Sequence, residues 1–362
     1  MILPAWYPSE RSPDNGDFVK YQVKLLREAG INVDVAYADI SVYNVKRNQK
    51  EAIVNQYKNG IDYLINKWSI PRNNKAGLIA WRKLYIHHIE NYINTYGLPD
   101  LIHAHVYLAA WIAAYIKDRY DIPFYYTEHY SGFIDGSIAA AHREIAEIGL
   151  QNAQRVFAVG SGLRDALEEI HQRKIDIVPN FIDFDLFRLQ PKETTDQIRA
   201  ITIGSLIERK QINHIVKAMV NLPAYTLTII GDGPERASLE NLVRQYGMKD
   251  RIHFLGPLCQ EEVANELSQH DVLLHPSRAE TFGITLIEAM ASGLPVIAYQ
   301  NGGSQDIITP ETGILVEAIN VEAFKEAMNL FQKDQYKYDP EHIRRHAAGK
   351  YSVEFFIADC YR

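Results

Sequence analysis

The chain has 362 residues, of which 47% are hydrophobic, 11% aromatic and 23% charged, enough for two domains of ordinary size and too apolar for a disordered chain. Its 38 basic and 45 acidic residues leave a formal charge of −7, so no overall positive field exists to hold a nucleic-acid backbone. Two cysteines, Cys259 and Cys360, provide neither a disulfide framework nor a zinc ligand set, and the longest apolar run, Val106 to Ile116, is shorter than the ~20 residues of a membrane span. A cytoplasmic protein without a nucleic-acid partner is expected.

Short apolar runs alternate with amphipathic stretches of about ten to fifteen residues, the rhythm of βαβ units. In the first half, strands are expected at 2–4, 32–36, 101–104, 124–127, 155–159 and 176–178, and helices at 19–29, 78–94, 108–117, 139–152 and 162–170. A polar stretch at 189–197, with Pro191 and a Thr-Thr pair, reads as a linker. Beyond it, strands are expected at 200–203, 226–230, 252–255, 271–275, 295–299 and 313–316, and helices at 213–221, 235–246, 261–267, 284–292 and 321–331. The reading is α/β: two doubly wound domains, residues 1–190 and 191–345, with a last helix at about 346–362 packing back on the first. Ligands of such sheets sit outside the carboxyl ends of the strands, so the chemistry is expected in the strand-to-helix loops.

Residues 42–91 hold nine Lys/Arg against three acids, net +6, which leaves −13 for the rest of the chain. Within them Leu78, Trp81, Tyr85, Ile89 and Tyr92 repeat at helical spacing and read as a core-facing stripe. The preceding Lys67-Trp68-Ser-Ile70-Pro-Arg72 mixes cations with aromatic and aliphatic side chains, a surface suited to anionic lipid headgroups. A peripheral membrane contact through residues 67–83 is one expectation, and a solvated loop is the other.

The most informative window is Glu280-Thr-Phe-Gly-Ile-Thr-Leu-Ile-Glu288. Ile284, Leu286, Ile287, Met290 and Ala291 predict a buried helix starting near Phe282 or Gly283. From Gly283 to Glu288 such a helix rises about 7.5 Å, so the two carboxylates flank its free N–H groups and positive dipole. Acid, anion site and acid in a row match a nucleotide-sugar, with sugar hydroxyls, diphosphate and ribose hydroxyls in that order. The alternative is structural, with Glu280 capping the helix and Glu288 paired to a neighbouring cation. Glycine turns follow three other strands, at Gly204-Ser-Leu-Ile-Glu-Arg-Lys210, Gly231-Asp-Gly233-Pro and Gly302-Gly303.

With these motifs, and with Pro179-Asn180-x-x-Asp183-x-x-x-Phe187, the chain resembles the retaining nucleotide-sugar glycosyltransferases of family four, the glycosyl transferases group 1, over almost its whole length. The resemblance implies the GT-B fold, two Rossmann-like doubly wound domains facing across a cleft. Trp6-Tyr-Pro-Ser9 and Asn15-Gly16-Asp17-Phe18 resemble the family's opening loop, where Gly16 lets backbone approach the donor closely. Asp100-Leu-Ile-His103-Ala-His105 and Thr127-Glu128-His129 resemble two strand ends of the same site. By resemblance His129 meets the donor sugar or the reacting centre, with His105 a weaker candidate. His103 is placed on the strand face opposite His105 and read as structural.

The chain departs from the family pattern at three positions. Ser205 stands where many members carry arginine, Gln211 follows Lys210 where glycine is usual, and Asp306 replaces a common glutamate. Arg209 is expected to reach the diphosphate in place of the missing arginine, with a solvated surface position as the alternative. The strand ahead of Trp6 is short, so either residues are missing at the start or the first strand is stunted.

The implied reaction is retaining transfer by front-face attack, in which the leaving phosphate oxygen takes the acceptor's proton. Lys210 and the backbone N–H groups of Phe282, Gly283 and Ile284 would stabilise the departing nucleoside diphosphate. Glu280 would hold donor-sugar hydroxyls, Glu288 the ribose, and backbone near Leu258 the base. The partners implied are a UDP-sugar donor and a glycan or lipid-linked acceptor of cell-surface polysaccharide or glycolipid assembly, at or near the inner membrane face. No cofactor and no metal are expected: Asp183-Phe-Asp185 matches an Asp-x-Asp metal motif superficially but lies inside the Pro-Asn segment, and Gly231-Asp-Gly233-Pro lacks the third glycine of a dinucleotide fingerprint. Rival readings are a non-catalytic nucleotide-sugar-binding partner or sensor, which Ser205 favours, and a sugar-nucleotide epimerase. Nothing marks the pyridoxal-phosphate lysine of a phosphorylase.

Overall fold

The apolar runs assemble into two sheets, each in its own part of the chain. The structure, a computed structural model, describes all residues except 11, 13, 14, 73, 193, 194 and 362, and of residue 43 the backbone only. One unit comprises Met1–Val159 and Leu163–Val178, the other Gly160–Gly162 and Pro179–Arg362. The unit changes at 178/179, ahead of the 190/191 read from the sequence, because apolar residues before Pro191 are buried in the second unit. Phe181 meets the Phe356 ring at 4.4 Å, Ile182 N–H donates to the Tyr351 carbonyl at 3.1 Å, and Arg344 donates to the carbonyl of Phe184 at 2.7 Å. Of the expected linker, Glu193 and Thr194 lie outside the described residues, as does Arg362 of the last helix.

The first unit runs β1 (Ile2–Pro4), α1 (Asp17–Glu28), β2 (Val35–Ser41), β3 (Ile53–Tyr57), β4 (Gly60–Trp68), α2 (Lys75–Tyr96), β5 (Ile102–His105), α3 (Tyr107–Tyr120), β6 (Phe124–Glu128), α4 (Ala140–Asn152), β7 (Arg155–Ala158), α5 (Ser161–Glu168) and β8 (Asp176–Ile177). The strand order is β3-β4-β2-β1-β5-β6-β7-β8, parallel except for β3, which runs antiparallel to β4. Among the elements named in the first unit, the β3–β4 hairpin has no counterpart in the sequence reading. Its apolar positions are interleaved with Lys58, Asn59, Asn66 and Lys67, so neither period dominates, yet β4 pairs with β2 over seven residues, from Val35↔Asp62 to Ser41↔Trp68. In α2 the expected stripe, Leu78, Trp81, Tyr85, Ile89 and Tyr92, is buried, and Asn74 caps the start by accepting from Gly77 N–H at 3.0 Å.

One strand-face expectation is corrected. His103 and His105 lie on the same side of β5 with ring centroids 4.5 Å apart, because side chains two residues apart return to the same face.

The second unit runs β9 (Ile198–Ile203), α6 (Ile212–Ala218), β10 (Tyr225–Ile230), α7 (Arg236–Gln245), β11 (Ile252–Gly256), α8 (Gln260–Gln269), β12 (Val272–His275), α9 (Ile284–Ala291), β13 (Val296–Tyr299), α10 (Ser304–Ile307), β14 (Gly313–Val316), α11 (Val321–Asp334), α12 (Pro340–Tyr351) and α13 (Val353–Cys360). Its sheet is wholly parallel in the order β11-β10-β9-β12-β13-β14. Numbered within the unit this is 3-2-1-4-5-6, the Rossmann order, whose direction reverses between β9 and β12. In the first unit the reversal lies between β1 and β5. At each reversal two neighbouring strands send their following loops apart, which leaves a crevice at their carboxyl ends. Among the described residues no helix is long and apolar enough to cross a membrane.

Candidate active site

The loop after β9 and the loop after β12 meet at the reversal of the second sheet. Lys210 Nζ lies 2.5 Å from Glu280 Oε1, although the two residues are 70 positions apart in sequence. Arg209 bonds the Ala279 carbonyl and stands 3.7 Å from Glu280 Oε2. The backbone fixes the same pairing, since Arg278 N–H donates to the Arg209 carbonyl at 2.9 Å and Glu280 N–H to the Asn301 carbonyl at 3.1 Å. Arg209 is therefore turned onto the Glu280 carboxylate.

Burial alone would raise the Glu280 pKa, but the Lys210 ammonium and His275 together pull it well below the carboxylate range. The group is a fixed anion that only accepts hydrogen bonds. His275, at the end of β12, places Nε2 3.2 Å from Glu280 Oε1, and burial lowers its pKa. The neutral ring must carry its hydrogen on Nε2 to bond an acceptor-only carboxylate.

Eight residues on, Glu288 lies inside α9 and is 6% exposed. Burial is the one influence on its carboxyl and raises the pKa to about 7. No Lys or Arg among the described residues forms an ion pair with it. Between the two acids, Phe282 is buried with its ring against Tyr351, and Gly283, at φ 108°, opens α9 without a side-chain cap. The helix start between the carboxylates thus keeps uncapped N–H groups, as expected from the sequence.

Neighbouring loops close around this centre. Gly231 N–H donates to the Gly256 carbonyl at 2.8 Å, Gly204 N–H to Ile230 at 3.0 Å and Leu206 N–H to Asp232 at 2.9 Å. Ser205 is exposed in the loop after β9, and Leu258 is half-buried just past β11. Asp306 accepts from Ser161 N–H at 2.6 Å and its hydroxyl at 2.7 Å. Asp183 accepts from the backbone of Asp185 and Leu186, which makes it a turn cap. Among the described residues no three His, Cys, Asp or Glu side chains come together so as to hold a metal ion.

In the first unit, Gly16 opens α1 at φ 73° with the Trp6 backbone so close that a Cβ could not fit. His129 follows β6, is buried, and shares a hydrogen bond of 2.9 Å between its Nε2 and His105 Nδ1, the two rings stacked 9° from parallel. Burial lowers the pKa of both, His105 to about 4, so this is a bond between neutral imidazoles. Glu128 beneath them is fully buried and accepts from the N–H groups of Tyr107, His129 and Tyr130 and from the Tyr126 hydroxyl. Burial nevertheless raises its pKa to about 7.

Sequence reasoning gave no role to His275, or to Glu128 within the Thr127-Glu128-His129 strand end. The one signal for either is a polar residue closing an otherwise apolar strand, Val-Leu-Leu-His and Phe-Tyr-Tyr-Thr-Glu.

Two family profiles match the chain almost end to end. "Glycosyltransferase Family 4" matches residues 17–186 and "Glycosyl transferases group 1" residues 183–353. The D-inositol 3-phosphate glycosyltransferase of Mycobacteroides abscessus is 29% identical over 261 residues, 64% of this chain and 58% of that protein. The 2-deoxystreptamine glucosyltransferase of Streptomyces kanamyceticus is 33% identical over 162 residues, 41% of this chain and 42% of that one. The chain thus spans about half the length of these curated relatives. Among solved structures, sucrose-phosphate synthase from Thermosynechococcus elongatus superposes with a TM-score of 0.79 at 23% identity, over 99% of this chain and 96% of that one. Anabaena Alr3699/HepE in complex with UDP gives 0.75 at 16% identity, over 99% and 97%. The fold is that of these neighbours, GT-B.

Proposed function

The chain belongs to the group 1 glycosyl transferases, and from that membership we propose that it transfers a sugar from a UDP-sugar to a glycan or lipid-linked acceptor with retention at the anomeric carbon. The observation that carries the reading is the second unit's reversal point, where Lys210 and Arg209 are gathered on Glu280 at one end of α9's uncapped start while Glu288 lies buried at the other, with no ion pair among the described residues.

Glu280, held ionised, accepts hydrogen bonds from donor-sugar hydroxyls. Lys210 spends one of its three hydrogens on Glu280 and turns the others to the diphosphate, helped by Arg209, which takes over from the arginine absent at Ser205. The N–H groups of Phe282, Gly283 and Ile284 add donors that need no reorganisation as charge builds on the leaving group. Glu288 accepts from the ribose, and backbone near Leu258 faces the base. The leaving phosphate oxygen takes the acceptor's proton on the same face of the sugar, so neither a metal nor a side-chain nucleophile enters. In the first unit, Gly16 and His129 serve the sugar end of the donor.

The first unit also carries a membrane-facing surface in this reading, suited to an acceptor of cell-surface polysaccharide or glycolipid assembly. Of the 17 large apolar residues that are exposed among those described, seven fall between Val45 and Ile79, within the +6 segment. Trp68 at 44% and Ile70 at 42% exposure stand at the end of β4. Co-sedimentation with vesicles should require anionic lipid and weaken with salt; equal partitioning onto neutral vesicles would refute the contact.

The central test is a panel of UDP-, GDP- and ADP-sugars scored for donor hydrolysis and thermal stabilisation, since a ligand that binds the folded state stabilises it by mass action. Stabilisation and nucleoside diphosphate release by one UDP-sugar are expected. Stabilisation without release, even with acceptors supplied, would favour a sensor, and release of an epimerised free sugar without acceptor would favour an epimerase.

A further inference from the structure

One cavity of the first unit lies along α1 and reaches the amino end of the sheet. It has a volume of about 470 Å³ and opens between α1 and the turn of the β3–β4 hairpin, a size suited to a small metabolite. Asp62 is the third residue of β4 and Arg27 lies in the last turn of α1. These two mark the amino end of the sheet, while Tyr7, from the loop that carries Gly16, and Lys20, from the first turn of α1, line the rest of the cavity.

Its floor is a finished network. Asp62 accepts from Arg27 at 2.8 Å and from the hydroxyls of Tyr7 and Tyr57 at 3.2 Å each, and the Arg27 guanidinium covers one face of the Tyr57 ring at 4.3 Å. The buried charges therefore cancel. Tyr57 itself is 47% exposed, which leaves its other face to the cavity.

The rim does not cancel. Lys20, Lys24 and Lys58 line it, and Glu28 meets Lys24 only at 3.9 Å in an exposed pair, an interaction of little strength. The ammonium groups of Lys20 and Lys58 make no hydrogen bond or ion pair with the described residues. A chain of net charge −7 thus holds three ammonium groups around an aromatic shelf. A second cavity of about 330 Å³ shares Lys20 and continues past Asp39 to Glu10, and its acids keep an anion at the Lys58 end.

We propose that the cavity between α1 and the β3–β4 turn is a second ligand site, which binds a phosphate monoester through Lys20, Lys24 and Lys58 and lays the attached sugar or polyol on Tyr57. Sugar C–H bonds pack well on an aromatic face, and ammonium groups bind phosphate as point charges. The ester is either a free sugar phosphate or a lipid headgroup.

The experiment titrates the full chain with inorganic phosphate, with glucose 6-phosphate and with vesicles containing phosphatidic acid, by calorimetry and co-sedimentation, for the wild type and for Lys20→Glu/Lys58→Glu. These lysines are exposed, so the variant should keep its fold and its affinity for UDP. Binding of glucose 6-phosphate in preference to inorganic phosphate, or of phosphatidic-acid vesicles, weakened at least about tenfold in the variant, supports the site and tells the two sources apart. Failure of the wild type to bind all three probes, binding of inorganic phosphate alone, or glucose 6-phosphate binding that survives both charge reversals would overturn it, and vesicle binding counts only in the part that the reversals remove, since the surface proposed at residues 67–83 takes anionic lipid by itself. Because it reads binding at Lys20 and Lys58, the outcome is independent of whether the chain turns over a UDP-sugar.

Discussion

Glu288→Gln separates the cost of a binding group from its use. In the free protein burial of the carboxyl raises its pKa from 4.5 to about 7, and no Lys or Arg among the described residues pairs with it. The folded state then holds a proton that the unfolded state has lost between those two values, so stability falls as pH rises through that window and the full deficit is present above about pH 7. At about 1.4 kcal/mol per pH unit, the displacement from 4.5 to about 7 amounts to roughly 3 kcal/mol. Glutamine resembles the neutral acid in polarity and size and does not ionise. The variant should match the wild type at pH 4.5 and exceed it by up to about 3 kcal/mol at pH 8, while losing affinity for UDP because the ribose forfeits a charged acceptor. All four tryptophans, Trp6, Trp68, Trp81 and Trp111, lie outside the second unit, so hydrogen exchange in β12 and β13 is the assay. A companion measurement is calorimetry of UDP binding near pH 7 in buffers of different ionisation enthalpy, where ribose hydroxyls should favour the ionised carboxyl and release a proton. A stability difference that does not change with pH, or no proton release, would refute the assignment.

Lys210→Ala should lower donor turnover by about 10²–10³ and also destabilise the second unit, because Glu280 is left buried with Arg209 at 3.7 Å as its nearest remaining cation; turnover close to wild type would remove Lys210 from the reaction. Gly283→Ala forces a side chain to φ 108° and brings a Cβ to within 2.8 Å of Leu286 Cδ1, so thermal unfolding should report a loss of about 1–3 kcal/mol together with weaker UDP binding. Arg27→Met strands Asp62, which is 2% exposed and held by that guanidinium, and urea unfolding followed by tryptophan fluorescence should show the first unit weakened by about 3–5 kcal/mol.

Much of the architecture was legible because parallel strands buried on both faces are short apolar runs, and the helices between them carry stripes of period 3.6. β13 and β14 and the α2 stripe needed no tertiary information. The β3–β4 hairpin did. All five residues of β3 are exposed, so the strand has no apolar alternation to announce it, and it exists because β4 offers it backbone partners. The faces of His103 and His105 were a matter of local geometry, and the two-residue period decides them.

The candidate site divides along the same line. That Glu280 and Glu288 flank a helix start follows from the sequence, because eight residues of loop and helix set their separation locally. That no Lys or Arg among the described residues pairs with Glu288 could not be read there, since any of 38 Lys and Arg residues was free to fold against it. Nor could the meeting of Lys210 and Glu280, or the turning of Arg209 onto the same carboxylate. Those contacts depend on β9 and β12 being neighbours in the sheet, a consequence of strand order and not of distance along the chain. Local geometry determined which groups the sequence offers; the packing of the strands decided which of them meet, because only burial against a neighbouring strand fixes which loop ends share one crevice.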